Sequence, residues 1–300
     1  MDFSNYLFHA SSMGHLMTDP KGKSNEEKYG DAFAERTIVK GKIADMVSAG
    51  KQHLKTYDAL IEKYDKLVAL CVELEKVKDE IELSETAKAY LVEIYCEEKY
   101  GRKRNIETSA MLKGTTQEED GITALSIVDG KMYKKNTVQL SNEYVCGTPD
   151  IRRQILFEGN VIGIVDDIKC AWELQTHKKY MVAKIDQIYY WQLQTYMWLD
   201  DATIGRLGRV LINTPEFIIE RELKKLRYSI PDSEHLEAEK QLRINHTFDD
   251  INIRERVIIQ QCERDDEAIE RMKPRVIAGR KFLQMLNDID EAKILNTELK

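Results

Sequence analysis

The stretch from residue 147 to residue 169 constrains the fold of this chain more than any other part of its sequence. A Gly-Thr-Pro-Asp turn ends at Asp150, and two apolar runs follow at residues 155–157 and 161–165, with the pair Gly159-Asn160 between them. Extended apolar runs on either side of a turn-forming pair predict a β-hairpin.

Charged residues follow directly after the second apolar run, at the end of the predicted hairpin. Because strand side chains alternate between faces, Asp167 and Lys169 should project from one face, whereas Asp166 and Ile168 should project from the other, with Ile168 in the core. With Asp150 before the first strand, two carboxylates and one ammonium group would then lie together. Such a group can hold a hard cation and orient a water molecule beside it. An Asp-x-Lys pair is more often a solvated ion pair, so the flanking sequence has to separate the two interpretations.

Two further motifs flank the hairpin along the chain. Upstream, Glu118 is the fourth residue after Gly114 and is expected on a helix that precedes the sheet; Glu119 competes with it for the same role. Downstream, Gln192 and Tyr196 are four residues apart and therefore lie on one face of an aromatic-rich helix. The order is a helical acid, an Asp, an Asp-x-Lys and a helical Gln-x-x-x-Tyr.

In this order the motifs resemble those of the PD-(D/E)xK nucleases, in the branch that contains phage lambda exonuclease, the YqaJ viral recombinases and the RecB-type nuclease domains. Pro149-Asp150 with Asp167-x-Lys169 matches the motif that names the superfamily. The Gly114 and Gln192 motifs match the G-x-x-x-E/H and Q-x-x-x-Y helices of that branch.

The N-terminus adds a weaker match. Ser11 and Ser12 resemble a serine turn that lies near the DNA 5′ phosphate in phage exonucleases, although His9 stands where some relatives have an arginine. The alternative for these serines is an ordinary N-cap of a helix that begins near Met13. The resemblance extends over residues 6–20 and 105–215.

The resemblance implies an α/β fold with a restriction-endonuclease-like core, in which helices flank a central mixed sheet. We expect a single nuclease domain over residues 1–300, with a helical insertion at 26–101, a catalytic core at 105–230 and a helical C-terminal part at 233–300. Within the core, residues 204–222 are expected to give further strands.

Periodicity gives more detail in the helical insertion. Apolar residues recur at steps of three and four and predict a long amphipathic helix near residues 51–82. Ser84 is the expected N-cap of the next helix, and Gly101 its stop. We expect the hairpin of these two helices to pack on the core rather than to form a subunit contact.

The resemblance also assigns roles to side chains. Asp150, Asp167 and Glu118 are expected to bind the metal, with the carbonyl of Ile168 as a further ligand. Lys169 is expected to position the attacking water and to counter the charge that develops on the phosphate.

Other residues are expected to support the site. Gln192 should orient Lys169 or a phosphate, although a capping or surface amide is the alternative. The residues expected to contact substrate are Ser11, Ser12, Arg152, Arg153 and Tyr196. For Tyr196, a core aromatic with a hydrogen-bonded hydroxyl is the commoner role.

Composition limits the cofactor and the compartment. Mg²⁺ is the expected cofactor, and Mn²⁺ is expected to substitute for it. Five scattered cysteines without a C-x-x-C pair predict reduced thiols in a cytoplasmic protein and exclude an iron–sulfur clamp. No apolar run approaches the roughly 18 residues of a membrane span, no signal peptide is evident and no P-loop occurs.

The expected function is Mg²⁺-dependent degradation of one strand of linear duplex DNA from its end, in the 5′ to 3′ direction, as in phage recombination. The expected partners are duplex DNA with free ends, a single-strand annealing protein and further copies of the chain in a homo-oligomer. Net charge is −7, so basic clusters would have to line the path of the DNA. The alternatives are an endonuclease of the same superfamily and a catalytically inactive DNA-binding or assembly protein.

Overall fold

The computed structural model describes residues 1–104 and 107–298, so the predicted core boundary at residue 105 and the last two residues lie outside the described part. The helices are α1 (Met13–Leu16), α2 (Asn25–Ser48), α3 (Lys55–Val77), α4 (Glu85–Tyr100), α5 (Ser109–Thr116), α6 (Glu118–Asp129), α7 (Leu174–Lys179), α8 (Gln187–Asp200), α9 (Glu216–Arg227), α10 (His235–His246) and α11 (Asp266–Glu298). The strands are β1 (Phe8–His9), β2 (Leu140–Ser141), β3 (Val145–Gly147), β4 (Ile151–Phe157), β5 (Asn160–Cys170), β6 (Ile204–Val210) and β7 (Val257–Glu263).

The core is a mixed sheet of four strands in the order β4-β5-β6-β7. The β5–β6 pair is parallel, whereas β4–β5 and β6–β7 are antiparallel. Helix α8 covers one face, where Leu193 and Met197 pack on the sheet, and α6 covers the other through Ile122 and Leu125. Each such buried side chain contributes about 1.5–3 kcal/mol of transfer free energy. The expected α/β fold with a helix-flanked mixed sheet is confirmed.

The β4–β5 hairpin is present, but its turn differs by one residue from the prediction. The strands pair as far as Phe157 with Asn160, so the loop consists of Glu158 and Gly159. Both loop residues have positive φ, at 50° and 82°, as in the two-residue turns that match strand twist. Because the strands remain paired through Asn160, the turn begins one residue earlier than its Gly-Asn sequence suggested.

The N-terminal segment lies against α8, the helix that covers one face of the sheet. Strand β1 pairs in parallel with β3, and the following residues pack against α8. At Gly14 a Cβ atom would lie 2.6 Å from Ile188 Cα, so only glycine permits this approach of α1 to α8. The segment therefore lies beside the helix that carries the Gln-x-x-x-Tyr motif.

The helical insertion consists of three helices with different packing. Ser84 caps α4 by accepting from the Ala87 N–H, and Gly101 ends this helix with φ 61°, both as predicted. Helix α4 packs on the core through Leu91 and Ile94. The long helix predicted at 51–82 is the shorter α3, and α2 and α3 pack mainly on each other. The expected packing of the hairpin on the core is therefore confirmed for α4 and wrong for α3.

Two predictions downstream of β6 were also wrong. Residues 216–222, expected to contribute a strand, lie in α9, because Ile218, Ile219 and Leu223 bury one helical face. Residues 257–263, expected as helix, form the edge strand β7. The expected C-terminal helix is present as α11, in which Ile269 and Met272 are buried. No described helix is long and apolar enough to cross a membrane.

Candidate active site

Asp150 and the end of β5 are joined by a main-chain hydrogen bond. The Ile168 N–H donates to Asp150 Oδ2 at 2.6 Å, which holds the carboxylate against the strand that carries Asp167 and Lys169. The Ile168 side chain points to the opposite face and is buried in the core, as alternation predicted. Asp166 lies on that opposite face too, paired with Arg206 at 2.5 Å.

Asp167 is the most enclosed carboxylate of the site, with 2% of its surface exposed. Its Oδ1 accepts a hydrogen bond from Gln192 Nε2 at 2.9 Å. Its Oδ2 lies 2.7 Å from Lys169 Nζ, within ion-pair distance, yet no aligned hydrogen bond reaches this oxygen among the described residues. Oδ2 is therefore a buried acceptor with capacity for a further ligand.

The surroundings of Asp150 perturb its titration. Burial, and then the neighbouring Asp167, raise the pKa of Asp150 to about 8 from its ordinary 3.8, and Glu118 adds to the effect. Burial by itself lowers the pKa of Lys169, but the charge of Asp167 outweighs this and leaves that pKa above its ordinary value. The site thus combines a protonatable carboxyl group with an ammonium group that stays charged at neutral pH.

We expect Asp150→Asn to stabilise the metal-free protein at alkaline pH. A raised folded-state pKa means that the free energy of unfolding falls as pH rises from about 4 to about 8, since the unfolded chain loses this proton first. The Asn variant lacks this loss, so its melting temperature should exceed that of the unmodified protein at pH 9. The difference should be about 2–4 °C for each kcal/mol of stability that the unmodified protein has lost at that pH. At pH 5 the difference should be clearly smaller than at pH 9, because only the first part of the loss between pH 4 and pH 8 has occurred there.

Thermal melts in a chelating buffer at pH 5, 7 and 9 measure this difference. Asp166→Asn is the matched control, because Asp166 pairs with Arg153 and Arg206 on the other face, and the substitution should destabilise throughout this range. A melting difference for Asp150→Asn that is the same at pH 5 and pH 9 would contradict the raised pKa.

Glu118 is the first residue of α6, while Gly114 lies in the preceding helix α5, so the G-x-x-x-E motif spans a helix junction. The Glu118 side chain is 26% exposed and pairs with Lys135 Nζ at 3.3 Å. Glu119 is fully on the exposed side of the helix. Of the two glutamates, Glu118 is the one whose charge helps to raise the pKa of Asp150, which agrees with the predicted register.

The loop that carries Lys135 is fastened to the Asp150 turn. The Asn136 N–H donates to the Asp150 carbonyl at 2.7 Å, and the Asn136 side chain donates to the Pro149 carbonyl at 2.9 Å. This places Lys135 beside Glu118, a position that only the tertiary structure defines. Its presence in a basic cluster near the site was visible in the sequence.

Gln192 has a different partner from the expected one. Its Nε2 donates to Asp167 Oδ1, rather than contacting Lys169, and also to the Tyr196 hydroxyl at 3.0 Å. Tyr196 is 4% exposed, and its ring approaches Gly147 so closely that a Cβ there would lie 2.8 Å from it. Tyr196 is thus a core aromatic, as its commoner role predicts, and its burial argues against the expected contact with substrate.

The two arginines after Asp150 project from opposite faces of β4. Arg153 pairs with Asp166 at 3.1 Å and is largely buried, so the expected substrate contact is corrected to a structural ion pair. Arg152 lies on the other face and its Nε donates to Asp200 at 2.8 Å. Arg152 is the more exposed of the two, and its contact with substrate stays a prediction.

Ser11 and Ser12 lie in a short 3₁₀ turn that packs against α8, beside the site. Helix α1 begins at Met13, but Ser12 makes no side-chain capping hydrogen bond. Ser11 is exposed and Ser12 is partly so. The capping alternative is therefore weakened, and binding of a terminal phosphate stays a prediction.

The double variant Ser11→Ala, Ser12→Ala should reduce the preference for 5′-phosphorylated over 5′-hydroxyl DNA ends. Hydroxyl groups and main-chain amides at a turn suit an anion. Cleavage of matched duplexes with either end, alongside a thermal melt, measures the effect. Lower stability with an unchanged end preference would show that the serines serve only the fold.

Arg209 was missed in the sequence, although it lies directly beside Lys169 in the parallel β5–β6 register. It is 3% exposed, and its guanidinium stacks 3.5 Å from the Tyr180 ring centroid and 4.6 Å from that of Tyr189. Lys169 Nζ lies 5.3 Å from the same Tyr189 ring. The available signal was that two arginines, Arg206 and Arg209, interrupt the apolar run 204–210 three positions apart and therefore lie on opposite faces of the strand.

The donor set fits a hard divalent cation. Asp150 and Asp167 provide buried oxygens with an unused acceptor, and Glu118 lies close enough to influence Asp150 electrostatically. Among the described residues no three acidic, His or Cys side chains already converge on one point. A preformed cluster of three is not required of a site for Mg²⁺, which retains several waters and needs only one or two carboxylates besides substrate phosphate.

The mixed sheet and its flanking helices form an α/β fold that this chain shares with solved exonuclease structures. A solved structure that resembles this chain is a phage-related exonuclease from Haemophilus somnus 129PT, with a TM-score of 0.61, 20% sequence identity and coverage of 95% of this chain and 97% of that one. An alkaline exonuclease, LHK-Exo from Laribacter hongkongensis, matches with a TM-score of 0.46 and 17% identity over 72% of this chain and 88% of that one. No family model and no curated protein sequence matches the chain. The resemblance found in the motifs is thus confirmed at the level of the fold.

Proposed function

We propose that this chain is a divalent-metal-dependent deoxyribonuclease that degrades duplex DNA from its ends. The observation that carries the proposal is the group formed by Asp150, Asp167, Lys169 and Gln192 at the end of β5. The proposal is supported by the group's ion pair between Lys169 and Asp167 Oδ2, by its main-chain hydrogen bond to Asp150, and by the absence of an aligned hydrogen bond to that buried Asp167 oxygen among the described residues. Asp150, Asp167 and Lys169 are all present, which weighs against the alternative of a catalytically inactive DNA-binding or assembly protein.

Asp150, Asp167 and Glu118 would hold the cation, with the Ile168 carbonyl as a further ligand. When bound, Mg²⁺ or Mn²⁺ would supply a Lewis acid that polarises the scissile phosphate and lowers the pKa of water. Gln192 holds one oxygen of Asp167 in place and so leaves Oδ2 for a ligand. This buried amide fixes the orientation of the carboxylate before substrate arrives.

Lys169 acts on the charge that develops during cleavage. Its raised pKa keeps it protonated at neutral pH, and its ammonium lies beside Asp167. From there it can donate to the attacking water or to a phosphate oxygen. A fixed cation in a partly buried site stabilises the added negative charge of the transition state.

Action from DNA ends is supported by the serine turn beside α8 and by the fold shared with a structure described as a phage-related exonuclease. The 5′ to 3′ direction, a single-strand annealing partner, a homo-oligomer and a cytoplasmic location belong to the same proposal. They follow from the motif resemblance stated above.

End-labelled linear duplex and closed circular duplex, incubated in Mg²⁺, separate the two nuclease classes. We expect progressive loss of one strand of the linear DNA and no cutting of the circle. Efficient cutting of the circle would favour the endonuclease alternative. Absence of cleavage of both substrates in Mg²⁺ and in Mn²⁺ would overturn the proposal.

A further inference from the structure

Helices α2 and α3 form an arm that stands apart from the nuclease core. Among the described elements these two helices have extensive contacts only with each other. Their shared seam buries Ala32, Val39, Leu67 and Cys71. We call residues 25–77 the arm and residues 40–55, where the chain turns between the helices, the arm tip.

The arm is built as a stiff projection. Ser24 and Glu27 form a reciprocal capping box at the start of α2, and Gly50 turns the chain with φ 66°. Lys63 Nζ and Glu35 Oε1 pair across the two helices at 2.6 Å. At 1.5 Å per residue, the α2 helix extends over about 36 Å.

Charge is distributed unevenly along this arm. The tip contains four lysines (Lys40, Lys42, Lys51 and Lys55) and a single acid, Asp45. The remainder of the arm together with the residues that flank it (23–39 and 56–82), which we call the stem, contains twelve acids, six lysines and one arginine. The arm thus has an acidic stem and a basic tip, on a chain whose net charge is −7.

The tip lysines differ from the stem lysines in their surroundings. All four are exposed, and none is paired with an acid within the described part of the chain. Five of the stem lysines are paired; the pairs are Lys23–Asp31, Lys28–Glu82, Lys63–Glu35, Lys66–Glu62 and Lys78–Glu75. Free cations at the end of a projection are available to an anionic partner, whereas the stem repels one.

We propose that the arm tip binds the phosphate backbone of duplex DNA at a distance from the cleavage site. This inference rests on the proposed function, because it takes the DNA being degraded as the partner. Each ammonium that neutralises a phosphate releases condensed counterions, so four free lysines suit this polyanion. Because the stem is acidic, the DNA touches the arm at its end. The reach of the arm corresponds to about ten base pairs of duplex at 3.4 Å each.

The test replaces all four tip lysines with glutamine and measures binding of a 40-base-pair duplex without divalent metal, so that no cleavage occurs. We expect binding to weaken about tenfold at low salt. The slope of log affinity against log salt should become shallower by about 3.6, since each of the four lost phosphate contacts removes about 0.9. Binding of a 10-base-pair duplex, too short to reach the tip and the core together, should change little.

A matched control carries the same change in charge on the stem. The replaced lysines are Lys63, Lys66, Lys76 and Lys78, each changed to Gln. This control should bind the 40-base-pair duplex as the unmodified protein does. Thermal melts verify that both variants are folded.

Three results would overturn the inference: unchanged binding and salt slope in the tip variant, equal weakening in the stem control, or a change confined to self-association. The last result would assign the tip to a contact between copies of the chain. Cleavage of linear duplex by the unmodified protein is measured in parallel. Failure of that cleavage would reject the proposed function while the metal-free binding result still decided the role of the tip.

Discussion

Lys169→Met should reduce Mg²⁺-dependent cleavage of linear duplex DNA on the order of 10³-fold while the protein stays folded. The ammonium lies 2.7 Å from Asp167 Oδ2 and is the charged donor closest to the proposed metal ligands. Removing a preorganised group that stabilises transition-state charge costs about 10²–10³ in rate, and Lys169 is also expected to position the nucleophile. Asp167→Asn should lose a comparable factor by weakening the metal site.

Single-turnover rates at saturating Mg²⁺ measure the effect on chemistry separately from binding. Lys131→Met is a suitable control, because Lys131 is exposed and lies in the loop after α6. Its rate should stay within a factor of about two, as expected for a surface position. Near-normal cleavage by a well-folded Lys169→Met protein would reject the assignment of this site.

Glu118→Gln should weaken Mg²⁺ binding, whereas Glu119→Gln should not. Adjacent helical residues point about 100° apart, so only one of the two carboxylates can face Asp150. Glu118 is the partly buried one and contributes to the raised pKa of Asp150; Glu119 is exposed. We expect a loss of tenfold or more for Glu118→Gln, at least the roughly 10–100-fold typical of lost supporting groups at metal sites.

Calorimetric titration of each variant with Mg²⁺ provides the comparison without any dependence on cleavage. The two variants remove the same charge from the same helix turn, so general electrostatics affects both alike. A larger loss for Glu119→Gln would place the ligand one residue further along α6. Equal small losses would mean that α6 provides no ligand.

The local features of the site were predictable because strand and helix geometry have fixed periods. Alternation placed Asp167 and Lys169 on one face and Asp166 on the other, and the structure contains both arrangements. The four-residue spacing of Gln192 and Tyr196 likewise placed them together on α8. Terminal signals worked for the same reason, as at Ser84 and Gly101 of α4.

Contacts between distant parts of the chain could not be predicted in this way. Arg153 was expected to contact DNA, but it forms an ion pair with Asp166 on the neighbouring strand. Gln192 was expected near Lys169, yet the packing of α8 on the sheet brings its amide to Asp167. The loop with Lys135 reaches Glu118 only because Asn136 fastens it to the Asp150 turn.

The sequence by itself determined the hairpin, the face on which each catalytic candidate lies and the order of the motifs, because these depend on residues a few positions apart. The tertiary structure decided that residues 257–263 complete the sheet as β7, since an edge strand is defined by its pairing with β6. It also decided that α2 and α3 project as an arm, because their apolar seam is satisfied by the two helices themselves. Which surfaces remain free and which charges are neutralised depends on packing between elements far apart in the chain, and hydrophobic periodicity carries no information about that.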